Sequence, residues 1–206
     1  MIIDTLPTGP LEVNCYIVGC EKTRKAAVID PGGHVEQILQ RLHHHQLDLV
    51  MIVNTHGHFD HIGGNRQLVE ATAAELLIHQ DDRQLMDLAI EHAAVYGLQT
   101  EASPAPTREL IGDEKLSVGE LSLQVIHTPG HSPGGICLYV DDCLLVGDTL
   151  FAGSIGRTDL PGGDHQLLIN MIKNRLLSLP EETRVYPGHG PMTTIGEEKQ
   201  HNPFLR

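Results

Sequence analysis

Residues 54–64 read Asn54-Thr55-His56-Gly57-His58-Phe59-Asp60-His61-Ile62-Gly63-Gly64, NTHGHFDHIGG, and place four metal-ligand side chains within six consecutive positions. The run before them, LDLVMIV at residues 47–53, is apolar but for Asp48 and reads as a buried strand. In an extended segment side chains two residues apart point the same way, so His56 and His58 face one ion. Gly57 between them lets the backbone turn closely. Asp60 and His61 fall where the following helix begins, placed to face a second ion. The competing reading is a chance cluster on a polar loop.

Four groups are too few for two ions and do not surround one. A catalytic zinc takes about three protein ligands and keeps a further position open. More ligands are therefore required, and sites in sheet proteins form where strand ends converge. Three residues meet that requirement: His131 in HTPGHSPGG, Asp148 in LLVGDTLF and His189 in VYPGHGP. Each alone reads as a turn residue. Together with the loop they make five His and two Asp, all at or just past a predicted strand end. The other histidines invite plainer readings. His43 to His45 close the first predicted helix, where imidazoles face water and the helix C-terminus. His34, His79, His92 and His201 are isolated polar or capping residues, and His127 is structural.

Outward from this loop, short Val/Ile/Tyr-rich strands open the chain: MIIDTL, LEVNCYIVG and KAAVID. After DPGG at residues 30–33, Val35, Ile38, Leu39 and Leu42 mark an amphipathic helix. A second helix is expected within 64–74, a strand at ELLIH, and a third helix over 81–97 with Leu85, Leu88, Ala89 and Tyr96 on its apolar side. KLSVGELSLQVIH turns at Gly119-Glu120, and ICLYVDDCLLVGD reads as a hairpin turning at Asp141-Asp142. Asp164 is a favourable N-cap for a helix carrying Leu167, Leu168, Met171, Ile172 and Leu176. A last strand, TRVYP, ends in GHG. Strands and helices alternate around an antiparallel middle, which predicts a layered α/β or α+β architecture.

At 206 residues the chain reads as one domain. Such a length buries about 70% of its extended surface, so no disulfide is needed to fold it. The core must be aliphatic, with no Trp and seven Phe and Tyr together. A formal charge of −13 without a Lys/Arg cluster argues against nucleic acid as the main partner. Bound dications would add positive charge locally. The opening MIIDTLPTGPLEVNCY lacks the basic segment and long apolar run of a signal peptide, and no run reaches the ~18 apolar residues of a membrane span. A cytoplasmic location is the expectation. Cys15, Cys20, Cys137 and Cys143 show no C-x-x-C spacing and read as small buried apolar residues.

Taken in order, THGHFDH, TPGHSPGG, GDTLF and PGHG resemble the metallo-β-lactamase superfamily over almost the whole chain. DPGG, GRTDLPGGD and the ending HNPFLR are most similar to the short glyoxalase II-like (hydroxyacylglutathione hydrolase-like) members. The resemblance implies a four-layer αβ/βα sandwich of two sheets between helices. It implies two divalent metal ions: His56, His58 and His131 on the first, Asp60, His61 and His189 on the second, and Asp148 bridging. His and Asp ligands suit zinc foremost, with iron or manganese as alternatives. Full-length glyoxalase II enzymes carry a C-terminal helical region that helps bind glutathione; here about seventeen residues follow His189, so that region is expected to be absent.

The implied activity is hydrolysis of a small acyl thioester, S-lactoylglutathione or a relative, by a metal-bridging hydroxide. A metal would stabilise the developing oxyanion. Asp60 and Asp148 would offset the ions' charge and orient the hydroxide. The leaving thiolate, with a conjugate-acid pKa of roughly 8.5, departs with little protonation. Asp30 reads either as support for the ligand loop or as a turn residue before Pro31-Gly32. Arg157 reads either as a holder of an anionic substrate group or as the partner of Asp159 in a loop-shaping pair. Rival readings are a persulfide dioxygenase with one iron on His56, His131 and Asp148, a hydrolase of another ester or lactone, and a non-catalytic metal-binding relative. Oligomeric state is not set by the sequence.

Overall fold

Successive side chains of a strand point to opposite faces, so a strand apolar at every position must be covered on both. Pairs such as Ile17/Val18, Val28/Ile29, Ile52/Val53 and Leu76/Leu77 have this character, and all are buried. In the computed structural model, which describes residues 1–206, they build two six-stranded sheets. The first runs in order β1 (Ile2–Thr8), β2 (Val13–Gly19), β3 (Lys25–Ile29), β4 (Asp48–Val53), β5 (Glu75–His79) and β6 (Arg108–Leu110). The second contains β7 (Lys115–Val118), β8 (Leu121–His127), β9 (Ile136–Val140), β10 (Cys143–Gly147), β13 (Arg184–Pro187) and β14 (Thr193–Thr194). Its order is β14-β13-β10-β9-β8-β7. A small ribbon, β11 (Leu150–Phe151) and β12 (Ser154–Ile155), stands apart.

The sheets face one another. Val18, Ile29, Val53 and Leu77 of the first meet Leu123, Val125, Leu138 and Leu145 of the second in one core cluster. The opposite face of the first sheet is covered by Ile38 and Leu42 of α1 (Val35–His44) and Leu68 of α3 (Asn65–Thr72). That of the second is covered by Leu168 of α6 (His165–Met171), by Ile172 and Leu176 of its wider π-helical continuation (Ile172–Leu176), and by Ile195 of α7 (Ile195–His201). The layers are therefore helix, sheet, sheet, helix, the expected αβ/βα sandwich. No helix is long and apolar enough to cross a membrane. All four cysteines are free and buried.

Within the first sheet β3, β4, β5 and β6 run parallel, and in the second β10 and β13 do. The C-terminal ends of β3 and β4, and those of β10 and β13, deliver loops to the same end of the sandwich.

Three local features differ from the sequence reading. The helix expected over 81–97 is broken into a 3₁₀ turn, α4 (Arg83–Asp87) and α5 (Ala89–Val95). Leu88, with φ −94° and ψ 10°, leaves the helical region between them. The break rotates the apolar side: Leu85, Met86, Ala89 and Ala93 are buried, while Leu88 and Tyr96 are exposed. A short helix, α2 (Phe59–Ile62), begins inside the His-rich loop. Helix α7 has no apolar periodicity beyond Ile195. Its signal is capping: the Thr194 hydroxyl accepts from Glu197 N at 3.2 Å. Buried Glu198 on α7 accepts from Gly153 N at 2.9 Å and from Thr193 Oγ1 at 2.7 Å, tying the helix to the β11–β12 ribbon.

Truncating a side chain between the sheets should cost far more than truncating one on the surface. Leu138→Ala, at a fully buried position, is expected to lose about 2–5 kcal/mol in urea unfolding. Ile111→Ala, 70% exposed, is expected to stay within about 0.5 kcal/mol.

Candidate metal centre

Three histidine rings are held by one nitrogen so that the other is turned inward. Asp30, just past β3, accepts from Thr55 N at 2.7 Å through Oδ1. Its Oδ2 accepts from Thr55 Oγ1 at 2.6 Å and from His61 Nδ1 at 2.9 Å. The Thr55 hydroxyl has then spent its hydrogen, so it accepts from His56 Nδ1 at 3.1 Å. His131 Nδ1 donates to the Arg157 carbonyl at 2.7 Å. Each of these bonds turns Nε2 of His56, His61 and His131 inward, where a metal ion would take the place of any proton it carries. His58 Nδ1 is turned to the same space, 3.0 Å from His131 Nε2.

The inward atoms fall into two groups. His56, His58 and His131 place ligand atoms within 4.8 Å of one another, and so do Asp60, His61 and His189. His189 Nε2 lies 3.2 Å from Asp60 Oδ2. Asp148 stands between the groups: Oδ1 is 3.4 Å from His61 Nε2 and Oδ2 is 3.7 Å from His131 Nε2. Burial and charge prepare these side chains. Burial holds His56 well below the usual imidazole range and His58 down at about 3, so both are neutral. Burial alone would raise Asp148 and Asp60; the imidazole of His61 foremost, with His131 and His189 adding at Asp148 and His189 at Asp60, holds both carboxyls below their ordinary value. Burial opposes charge on His61 too, but Asp148, Asp60 and Asp30 raise it well above the usual range.

His56 Nε2, His61 Nε2 and Asp148 Oδ1 are buried and have no hydrogen-bond partner. Buried polar atoms are normally satisfied, so lone pairs converging without donors fit a cation. The His/Asp donor set suits divalent metal ions. The cluster of His79, Asp81 and His127 has similar composition but does not fit. Its two imidazoles stack with centroids 4.0 Å apart at 14°, and parallel rings cannot both hold one ion in their planes. His79 instead caps the turn after β5, accepting from Asp81 N at 3.3 Å, and His127 Nε2 bonds the Pro133 carbonyl at 3.0 Å.

The structure thus brings His56, His58, Asp60, His61, His131, Asp148 and His189 together. Glycines make the approach possible at two points. A Cβ on Gly188 would overlap Asp148 Oδ1 and lie 2.7 Å from His61 Cε1, and one on Gly63 would lie 2.6 Å from the Gly32 carbonyl. Arg157 lines a cleft of about 730 Å³ over the centre, with its guanidinium on Asp159 at 2.8 and 2.9 Å. The loop-shaping pair with Asp159 is therefore formed, on a side chain that also lines the cleft.

Two supports escaped the sequence reading. Asp82, fully buried, accepts from Gly57 N at 2.9 Å, Ser132 Oγ at 2.7 Å and Gly134 N at 2.5 Å. It joins the His56–His58 loop to the His131 loop; burial raises its pKa against those three donors. Asn14 of β2 donates through Nδ2 to the carbonyls of Pro187 and Gly190 at 3.0 and 2.9 Å, and Tyr16 OH donates to Pro187 at 2.6 Å. These bonds fasten the His189 loop of one sheet to the other. Neither residue carries a motif, since its partners are backbone atoms far along the chain.

Removing the Asp30 carboxylate should loosen His61 and Thr55 together. Asp30→Ala is expected to weaken metal affinity about 10–100-fold in a chelator-competition titration. An unchanged affinity would show that its hydrogen bonds do not orient the ligands.

With this geometry in view, comparison with known proteins gives consistent results. Residues 8–189 match the family model of the Metallo-beta-lactamase superfamily. The hydroxyacylglutathione hydrolase GloC of Haemophilus influenzae is 36% identical over 209 residues, covering 100% of this chain and 98% of that protein. Among solved structures, the B3 metallo-β-lactamase BLEG-1 superposes with a TM-score of 0.93 at 39% identity, covering 99% of each chain. TTHA1623, solved in a di-iron-bound form, superposes with a TM-score of 0.90 at 42% identity, covering 100% of both chains. A family match over most of the chain, near-complete relatives and converging His and Asp ligands agree: the chain belongs to the metallo-β-lactamase superfamily.

Proposed function

We propose that this metallohydrolase-family chain cleaves small acyl thioesters of the glyoxalase II kind, S-lactoylglutathione or a related compound. The observation that carries the proposal is two three-residue ligand groups joined by Asp148 at the floor of one open cleft. His56, His58 and His131 would hold one divalent ion, and Asp60, His61 and His189 a second. Zinc heads the candidates, and the di-iron form of TTHA1623 supports iron as the alternative. When bound, such ions supply a water of lowered pKa and electrophilic stabilisation of a carbonyl oxygen.

The chain's own groups do the rest. Asp60 and Asp148 are held ionised, so each can accept a proton-bearing neighbour at the centre. Neutral His56 and His58 keep their lone pairs inward without competing for protons. Beyond the ligand groups, the polar side chains lining the cleft are Ser154, His92, Tyr96 and the Asp159-paired Arg157. A thiolate departs with little protonation, so the thioester reading asks a proton of none of them. GloC supports the same chemistry, and it is matched over 98% of its own length, so the comparison does not rest on an extra C-terminal region. Ligands come from both sheets, so we take residues 1–206 to work as one domain.

Elemental analysis of the purified protein should give about two divalent ions per chain, and chelation should abolish thioester hydrolysis. His131→Ala and Asp148→Ala are each expected to lower kcat by more than about a hundredfold and to reduce bound metal. Normal turnover in either variant would defeat the dinuclear reading. Oxygen uptake on a glutathione persulfide by a one-iron protein would favour an oxidoreductase instead.

A further inference from the structure

The cleft over the centre is walled by Leu11, Phe59, Val95, Tyr96, Phe151 and Leu160. Three of them are notably bare: Leu11 is 43% exposed, Tyr96 49% and Val95 82%. Those three, among eight large hydrophobic side chains exposed on the whole molecule, meet at one cleft mouth. Scattered exposed apolar residues are ordinary, but a contiguous group rimming an active-site cleft marks a place where something apolar is covered. The break in the helix at Leu88 contributes, because it turns α5 so that Val95 and Tyr96 face the cleft rather than the core.

Charge points the same way. The only Lys or Arg lining the cleft is Arg157, and Asp159 occupies its guanidinium with two hydrogen bonds. A glutathione-sized thiol brings two carboxylates and one ammonium, and its carboxylates would meet no unpaired Lys or Arg in this cleft. An uncharged, chain-like group meets no such penalty.

From this we infer that the cleft is an acyl-chain site: the preferred substrate is a thioester with a medium-length apolar acyl chain on an uncharged thiol. The inference rests on the thioester-hydrolase reading above but departs from its glutathione-linked example. It identifies Leu11 and Val95 as residues that set chain-length preference without touching the reacting atoms.

The test uses the metal-loaded full chain and two matched substrate series. Acetyl, butanoyl, hexanoyl and octanoyl thioesters of N-acetylcysteamine are compared with the glutathione thioesters of the same acids. On the neutral thiol, KM is expected to fall about threefold for each added methylene. The glutathione thioester of each acid should be no better a substrate. Val95→Glu and Leu11→Glu, both at exposed positions, should each raise KM for the octanoyl thioester about tenfold and shift the acetyl one less than about twofold. Two variants are used so that one poorly folded protein does not decide the matter. A KM independent of chain length, glutathione thioesters favoured throughout, or octanoyl kinetics unmoved in both variants would overturn the acyl-chain site and leave thioester hydrolysis standing. S-lactoylglutathione is run beside the eight thioesters, and failure to hydrolyse it and all of the eight would overturn both readings.

Discussion

Unshared lone pairs facing one another in a buried space are the constraint on which the molecule is organised. His56 Nε2, His61 Nε2 and Asp148 Oδ1 have no donor, and His58 and His131 turn ring nitrogens toward each other at 3.0 Å. Each buried unsatisfied polar atom costs about 1–3 kcal/mol. The protein without metal therefore bears several such penalties at one spot, and divalent cations relieve them all at once. Burial keeps His56 and His58 neutral while the Asp148 carboxyl beside them stays ionised.

Such an arrangement survives only if the rest of the fold holds it in place. The holding is done mainly by hydrogen bonds to the far side of each ligand ring or loop. Asp30 fixes Thr55 and His61, the Arg157 carbonyl fixes His131, and Asp82 ties two ligand loops into one body. Asn14 and Tyr16 reach from the first sheet to the His189 loop of the second. Behind these bonds lies the core between the sheets, with seventeen buried residues drawn from both. The aliphatic core sets the separation of the strand ends, and the polar supports set the angle of each ring.

Legibility from the sequence followed the range of each interaction. The strands at residues 13–19, 25–29 and 143–147 were readable because both their faces are buried, so the apolar run is continuous. The helix start at Asp164 was readable because its carboxylate accepts from Leu167 N three residues on. The helix over 81–97 was misread because its apolar spacing looks continuous through Leu88, whereas Asp82 at its start is bound to Gly57 and Gly134. Helix α7 was missed because its key buried residue is a charged one, Glu198, whose partners are Gly153 and Thr193.

For the metal centre the division is similar. The residue types that stand at the strand ends are legible in the chain alone, because ligand chemistry and i,i+2 spacing are local properties. Equally legible are the small residues that flank them, since Gly63 and Gly188 lie within the same motifs. Only the tertiary structure decided which nitrogen of each histidine is free and that Asp148 reaches both ligand groups. It alone also decided that Arg157 is already paired and that Leu11, Val95 and Tyr96 share one cleft. Those are relations between segments far apart in the chain, as Asn14 and Gly190 are at 176 residues, and they exist only once two sheets have closed face to face on a common core.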